Sequence, residues 1–420
     1  MKEYLEVMIE KLSDLIAIKS VKGEPTKEAP YGKETLEALE YVLELGKEYG
    51  MTAVNVDGRA GYLEYGEGER MVGVLLHLDV VPEQDGWLTE PYTLTRKDGY
   101  LYGRGTSDDK GPAIAAFFAL VDLINKGEID GYRVRLIFGL DEEMGSSCMA
   151  HYVKSQELPT LGFVPDADFP VIYAEKGILN LDIVGPGSDA LTLKAGDRPN
   201  VVPGKCYINK DGKDYVFEGK PAHGAAPFDG INAVSVALEE EESFTSDPFL
   251  NFFNQHLAHR HYGEGLNIEY KDETGKLTVN PGLVGINNDK SFVTINIRYP
   301  ATMDFDSLVK NISDIASENG FTIENIDNNP PLYVEKDSFL VRTLLEVYRE
   351  KTEDYSKPLA IGGGTYARTM PNLVAFGMNM PGDAQNAHQA NESIKEKRLY
   401  EAAEIYRESI KRLGQGLIDQ

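Results

Sequence analysis

Five short segments of the 420-residue chain concentrate imidazole and carboxylate groups: HLD at 77–79, GRGTSDDKG at 103–111, DEE at 141–143, PDAD at 165–168 and AHQ at 387–389. Carboxylate oxygen and imidazole nitrogen bind hard and borderline dications. A pair of such ions needs one shared, bridging carboxylate and about two further ligands each, and this inventory meets that count. A set without thiolates also leaves coordination positions for a water whose pKa two cations pull towards neutrality. One segment alone reads as a helix cap or a loop solvator. Five in one chain point to a hydrolytic metal site.

The elements between these segments decide whether they can meet. Leu5, Met8, Ile9, Leu12, Leu15 and Ile16 recur at helical spacing, and residues 34–48 repeat the pattern after the turn-rich GEPTKEAPYG. MVGVLLHLDVV (71–81) is a continuous apolar run, GPAIAAFFALVDLIN (111–125) reads as a buried helix, and YRVRLIFGL (132–140) as a second strand. LGFVPD (161–166) is a short apolar strand ending in an acid. Strand, helix, strand implies a parallel sheet. Ligands collect beyond the carboxyl ends of such strands, where His77, Asp79, Glu142, Glu143 and Asp166 fall.

From about residue 178 the pattern changes to short alternating strands, NLDIV, LTLKA, YINKDGKDYVFEG and SFVTINIRYP, with a hairpin-type Asp211-Gly212 turn and helices near 231–241 and 305–318. Helical spacing resumes at 338–351, beyond the breaker Asn328-Asn329-Pro330-Pro331. The expected fold is α/β: a catalytic domain (1–178 and 331–420) with a mixed, mostly parallel sheet flanked by helices. Into it is inserted an α+β lid (179–330) with an antiparallel sheet. In SFVTINIRYP, alternation puts Val293, Ile295 and Ile297 on one face and Thr294, Asn296 and Arg298 on the other.

Composition narrows the function. The balance of 42% apolar and 26% charged residues is that of a water-soluble globular protein, and a net charge of −26 repels nucleic-acid phosphates and anionic lipid. No apolar run approaches the ~20 residues of a membrane span, and the first residues lack the order of a signal peptide, so a cytoplasmic protein is expected. Cys148 and Cys206 lie too far apart for a CxxC pair and are expected to be reduced and structural. HLAHRH (256–261) looks metal-binding, but it has no Glu between its histidines and its spacing does not hold one helix face. It reads as a solvated lid segment.

Taken in order, GRGTSDDKGP, DEEMG, PDADFP with EKG, GGGTYAR and HQANE resemble the carnosinase, aminoacylase and carboxypeptidase G family of metallopeptidases, most closely its bacterial Xaa-His dipeptidases of the PepV type. The resemblance covers nearly the whole chain. It implies His77 and Asp166 on a first metal, Glu143 and His388 on a second, and Asp108 bridging them, with Asp79 holding the other ring nitrogen of His77. It makes Glu142 the base that takes a proton from the metal-bridging water and hands it to the departing amine. PNVVPG, GKPAHGAAPFDGINA and NIRYP resemble the family's lid, where Asn200, His223 and Arg298 meet substrate. Gly363, in GGG, would offer a backbone amide to an anion. The implied reaction is hydrolysis of an unblocked dipeptide with two zinc ions, manganese or cobalt being the alternatives. An N-acyl-amino-acid deacylase or carboxypeptidase would share every metal residue. A silent binding module would have lost a ligand or the base, and here none is missing. The lid is shorter than in the fuller bacterial dipeptidases, which leaves monomer and homodimer both open.

Overall fold

The computed structural model describes residues 1–418, and the chain folds as two units. Met1–Tyr173, Val334–Leu359 and the segment from Thr365 onward form the first. Ala174–Tyr333 and Ala360–Gly364 form the second.

The first unit is built on a mixed sheet whose strands run in the order Thr52–Val56, Ala60–Gly66, Arg133–Gly139, Met71–His77, Leu161–Val164, Leu373–Ala375. Met71–His77 pairs in parallel with both Arg133–Gly139 and Leu161–Val164, whereas Ala60–Gly66 joins antiparallel. Every residue of Met71–His77 is buried, which is why that run reads as apolar without alternation: helices cover both faces of a parallel sheet. Helix Lys110–Lys126 is buried continuously from Lys110 to Leu123 and packs on helix Lys397–Ile418, so it too lacks a polar face. It stops at Gly127, whose φ of 60° lets its N–H reach the carbonyl of Ile124 while that of Glu128 reaches Leu123. Each Leu, Ile or Phe fully buried between these layers contributes ~1.5–3 kcal/mol relative to exposure.

The second unit is a seven-stranded antiparallel sheet in the order Lys213–Glu218, Lys205–Lys210, Leu191–Ala195, Thr278–Ile286, Lys290–Tyr299, Gly177–Pro186, Thr322–Asn329. Leu179, Leu181, Ile183, Val293, Ile295 and Ile297 send their side chains to one core, shared with Phe249, Phe252, Leu308 and Ile312 from helices Pro248–His256 and Phe305–Glu318. Asp247 and Asp304 cap these helices by accepting the N–H groups of Leu250 and Ser307. Asp211 and Gly212, both at positive φ, make the hairpin turn that their sequence announces.

Both cysteines are free and buried. The histidines of HLAHRH depart from the expected solvated segment. His256 is half-buried against the carbonyl of Gly265, His261 is half-buried, and only His259, paired with Glu239, is exposed. Buried Leu257 and Ala258 between them draw the segment onto the core. No helix among the described residues is long and apolar enough to cross a membrane.

Candidate metal centre

The parallel strands of the first unit end in a common region, and the acidic segments lie just past those ends. His77 is the last residue of strand Met71–His77, and Asp108 and Asp109 immediately precede helix Lys110–Lys126. Glu142 and Glu143 follow strand Arg133–Gly139, Asp166 follows Leu161–Val164, and His388 sits at a φ of 62° in the loop before strand Ser393–Lys395. Side chains from five segments distant in sequence thus converge.

Asp108 lies between the two histidines. One of its oxygens is 2.9 Å from His77 Nε2, and the other is 2.8 Å from His388 Nε2. Asp166 approaches the same His77 nitrogen at 3.5 Å, and Glu143 approaches the His388 nitrogen at 3.0 Å. Ligand atoms of His77, Glu142 and Asp166 lie within 4.8 Å of one another, as do those of Asp108, Glu143 and His388. Glu142 therefore stands with the first histidine, close enough to be a ligand as well as a base.

Asp79 lies at the other ring nitrogen of His77 and has a second task besides. The nearest contact to His77 Nδ1 is the backbone carbonyl of Asp79 at 3.0 Å, while its carboxylate is 3.6 Å away. That carboxylate accepts the N–H groups of Glu142 and Glu143, each at 3.1 Å, and so fixes the turn that presents both glutamates. Asp109, not singled out from the sequence, accepts the backbone N–H of His77 at 3.0 Å and is wholly buried. The adjacent acids of the DDKG segment are the only sequence signal for it.

The electrostatics fit two dications. Among the described residues no Lys or Arg pairs with Asp108, Glu142, Glu143 or Asp166, and one buried oxygen of Glu143 has no hydrogen-bond partner. Burial, reinforced by Asp166, Glu143 and Asp108, pushes the Glu142 carboxyl up to about 8 against the pull of His77. Asp108 and Glu143 hold the His388 imidazole up at about 10. A site that strains its carboxylates and favours protonated imidazoles attracts positive charge at both histidines, as a two-ion ligand set must.

A family model described as peptidase family M20/M25/M40 matches residues 73–412. The chain belongs to that family. It is a metallopeptidase, and its relatives agree. A Staphylococcus epidermidis protein bearing a dipeptidase name is 35% identical over 456 residues, with 97% of each chain covered. Human carnosine dipeptidase 1 shares the fold with a TM-score of 0.62 over 99% of this chain and 97% of that one, at 15% identity. A Bacillus subtilis protein described as a dinuclear metal-binding peptidase of the M20 family has a TM-score of 0.58 over 99% of each chain, at 12% identity.

The second unit of the metallopeptidase brings Asn200, His223 and Arg298 into one neighbourhood. Val201 bridges to His223, and the N–H of Gly224 donates to the carbonyl of Asn200 at 2.7 Å. Asn280, opposite Asn296 on the sheet, donates to the carbonyl of Pro199 at 2.7 Å and so ties this loop to the strand that carries Arg298. Arg298 is on the polar face read from the sequence but is buried at 6% exposure, its Nε donating to Asn296 Oδ1 at 3.2 Å. Burial and the positive charge of Arg298 push the His223 imidazole below its ordinary value, towards the neutral form. Gly363 groups with this unit, and a side chain there would meet nothing within 4 Å.

Proposed function

We propose that this metallopeptidase hydrolyses the amide bond of unblocked dipeptides at a two-metal centre. The observation that carries the reading is Asp108, whose two oxygens face two different histidines as a bridging ligand's must. In this reading His77, Asp108 and Asp166 hold one ion and Asp108, Glu143 and His388 the other. Zinc is the first choice, and manganese and cobalt suit the same oxygen and imidazole donors. Bound ions supply Lewis-acid polarisation and a water of lowered pKa. Glu142 takes the proton of the attacking water and returns it to the leaving amine. Burial favours the neutral form of its carboxyl, and neighbouring dications would favour the charged form, the balance needed by a group that takes a proton and then returns it.

In the same reading Arg298 grips the substrate's terminal carboxylate, and neutral His223, with Asn200, donates to the carbonyl oxygen as charge builds on it. The amide of Gly363 serves the carboxylate beside Arg298. A preference for histidine at the second position is a narrower form of the proposal, separated by comparing Xaa-His with other dipeptides. N-acetylated amino acids separate it from a deacylase.

The grouping of Glu142 with His77 and Asp166 favours a second reading, in which Glu142 is a ligand. Comparing Glu142→Ala with Glu143→Ala decides between the two. A proton shuttle predicts normal metal content and a kcat lowered ~10²-fold or more in Glu142→Ala, with metal loss confined to Glu143→Ala. Metal loss in both variants would make Glu142 a ligand, and near-normal turnover in Glu142→Ala would remove it from the chemistry.

A further inference from the structure

Glu392 is fully buried, and its charge is directed wholly at the loop that carries Asp108. Its carboxylate accepts the backbone N–H groups of Gly105 at 3.1 Å, Ser107 at 2.8 Å and Asp108 at 3.2 Å, and its own carbonyl accepts that of Gly103 at 3.0 Å. Arg104 pairs with it at 2.7 Å and is itself only 1% exposed. The same guanidinium donates to Gln84 Oε1 at 2.7 Å and lies over the Trp87 ring. Gln84 in turn donates to the carbonyl of His388. One carboxylate therefore joins three segments, two of which bear candidate ligands.

We propose that Glu392 is the positioning residue of the dinuclear centre: it closes the 103–108 loop around its carboxylate and so sets the bridging carboxylate of Asp108 between His77 and His388. The loop at 105–108 belongs to no helix or strand, so its N–H groups have no ladder to join and must be satisfied otherwise. Converging amides form a nest for an anion, and here the anion is part of the chain. The charge-assisted bonds fix the backbone that leads into the Asp108 Cα more tightly than water would. Because Asp108 serves both ions, a displacement too small to unfold the loop would weaken both together. A residue that merely neutralised Arg104 would have no such effect.

The inference rests on the reading of Asp108 as a bridge, and the experiment separates the two. Apo native protein, Asp108→Ala, Glu392→Gln and the double variant Arg104→Met/Glu392→Gln are titrated with Mn2+ by calorimetry. The Co2+-loaded proteins are compared by visible absorption, and their melting temperatures are measured. The double variant removes both buried charges and avoids the cost of an orphaned guanidinium. Positioning predicts that Glu392→Gln and the double variant bind both ions ~10–100-fold more weakly, as loss of a ligand's supporting hydrogen bonds typically does. It also predicts an altered Co2+ spectrum even where the double variant recovers the native melting temperature. Native affinity and spectrum in the double variant would overturn the proposal and leave Glu392 as the partner of Arg104. If Glu392→Gln does not fold, the double variant decides alone. Full binding of two ions by Asp108→Ala would instead overturn the bridging reading itself.

Discussion

Asp79 offers the sharpest test of how the glutamate turn is held. Its side chain is 1% exposed, and its two oxygens separately accept the N–H groups of Glu142 and Glu143 at 3.1 Å. In Asp79→Asn one oxygen remains, and the new amide group faces an N–H that needs an acceptor. One buried donor is then unsatisfied, at a cost of ~1–3 kcal/mol. Asp79→Ala orphans both donors, so ~2–6 kcal/mol is expected, the lower part of that range if water enters. In a folding unit of this size 1 kcal/mol corresponds to about 2–4 °C in Tm, so Asp79→Asn should melt roughly 2–12 °C below native protein. The same turn aims Glu142 and Glu143, so metal affinity and kcat should fall together, each by ~10-fold or more. The assay is thermal unfolding of apo protein in parallel with metal titration and dipeptide turnover. Apo Asp79→Asn melting within 1 °C of native, with unaltered metal affinity, would refute the argument that this carboxylate holds the turn.

The metal reading predicts about two ions per chain by elemental analysis and activity that a chelator removes and added metal restores; full activity in a metal-free preparation would end it. If Arg298 grips the terminal carboxylate, amidating the dipeptide should cost ~10²-fold in kcat/KM for native enzyme and far less for Arg298→Ala, because amidation removes the charge that Arg298 would bind. Equal penalties in both proteins would pass the role to another donor. Burial pushes the Asp383 carboxyl up, but Arg398 and Lys395 outweigh it and hold it at about 2. A depressed carboxylate contributes stability that is present above its ordinary 3.8 and lost as pH falls through about 2. The Tm gap between native protein and Asp383→Asn should therefore narrow across that window, and a constant gap would contradict the pairing.

Where one physical cause dominated, the sequence was enough. The run Met71–His77 reads as a central strand because both its faces are buried, and Lys110–Lys126 as a buried helix because no side of it meets water. Residues 305–318 show their helix through a clean apolar stripe and the capping Asp304. The ligand candidates were legible because each sits in a short polar segment, most of them just past the end of a strand or just before a helix, with His388 in a loop. Properties that depend on distant segments were not legible. Nothing local marks Glu392 as the acceptor for a loop 284 or more positions away, or gives the Asp79 carboxylate to two amides 63 and 64 positions on. The burial of Arg298 depends on Asn296 beside it and on the pairing of its strand with two neighbours. The grouping of residues 360–364 with the second unit depends on contacts that no periodicity records.

The order in which the candidate ligands lie along the chain has a consequence for biosynthesis. His77, Asp108, Glu142, Glu143 and Asp166 all precede the second unit, whereas His388 follows it, as do strand Leu373–Ala375 beside Leu161–Val164 and the helix against which Lys110–Lys126 packs. A ribosome-bound chain that has just emerged through residue 173 therefore holds most of the ligand set around an unfinished sheet. Its central helix has the first helix beside it but still lacks Lys397–Ile418, against which the rest of its apolar surface packs. Domains fold largely as units and in order of emergence, so the second unit is free to fold while the first waits for its last segments. If these residues are the ligands, full metal loading is a late event in the life of the chain, tied to the arrival of residues 373–418, and a product truncated before His388 would lack part of the set.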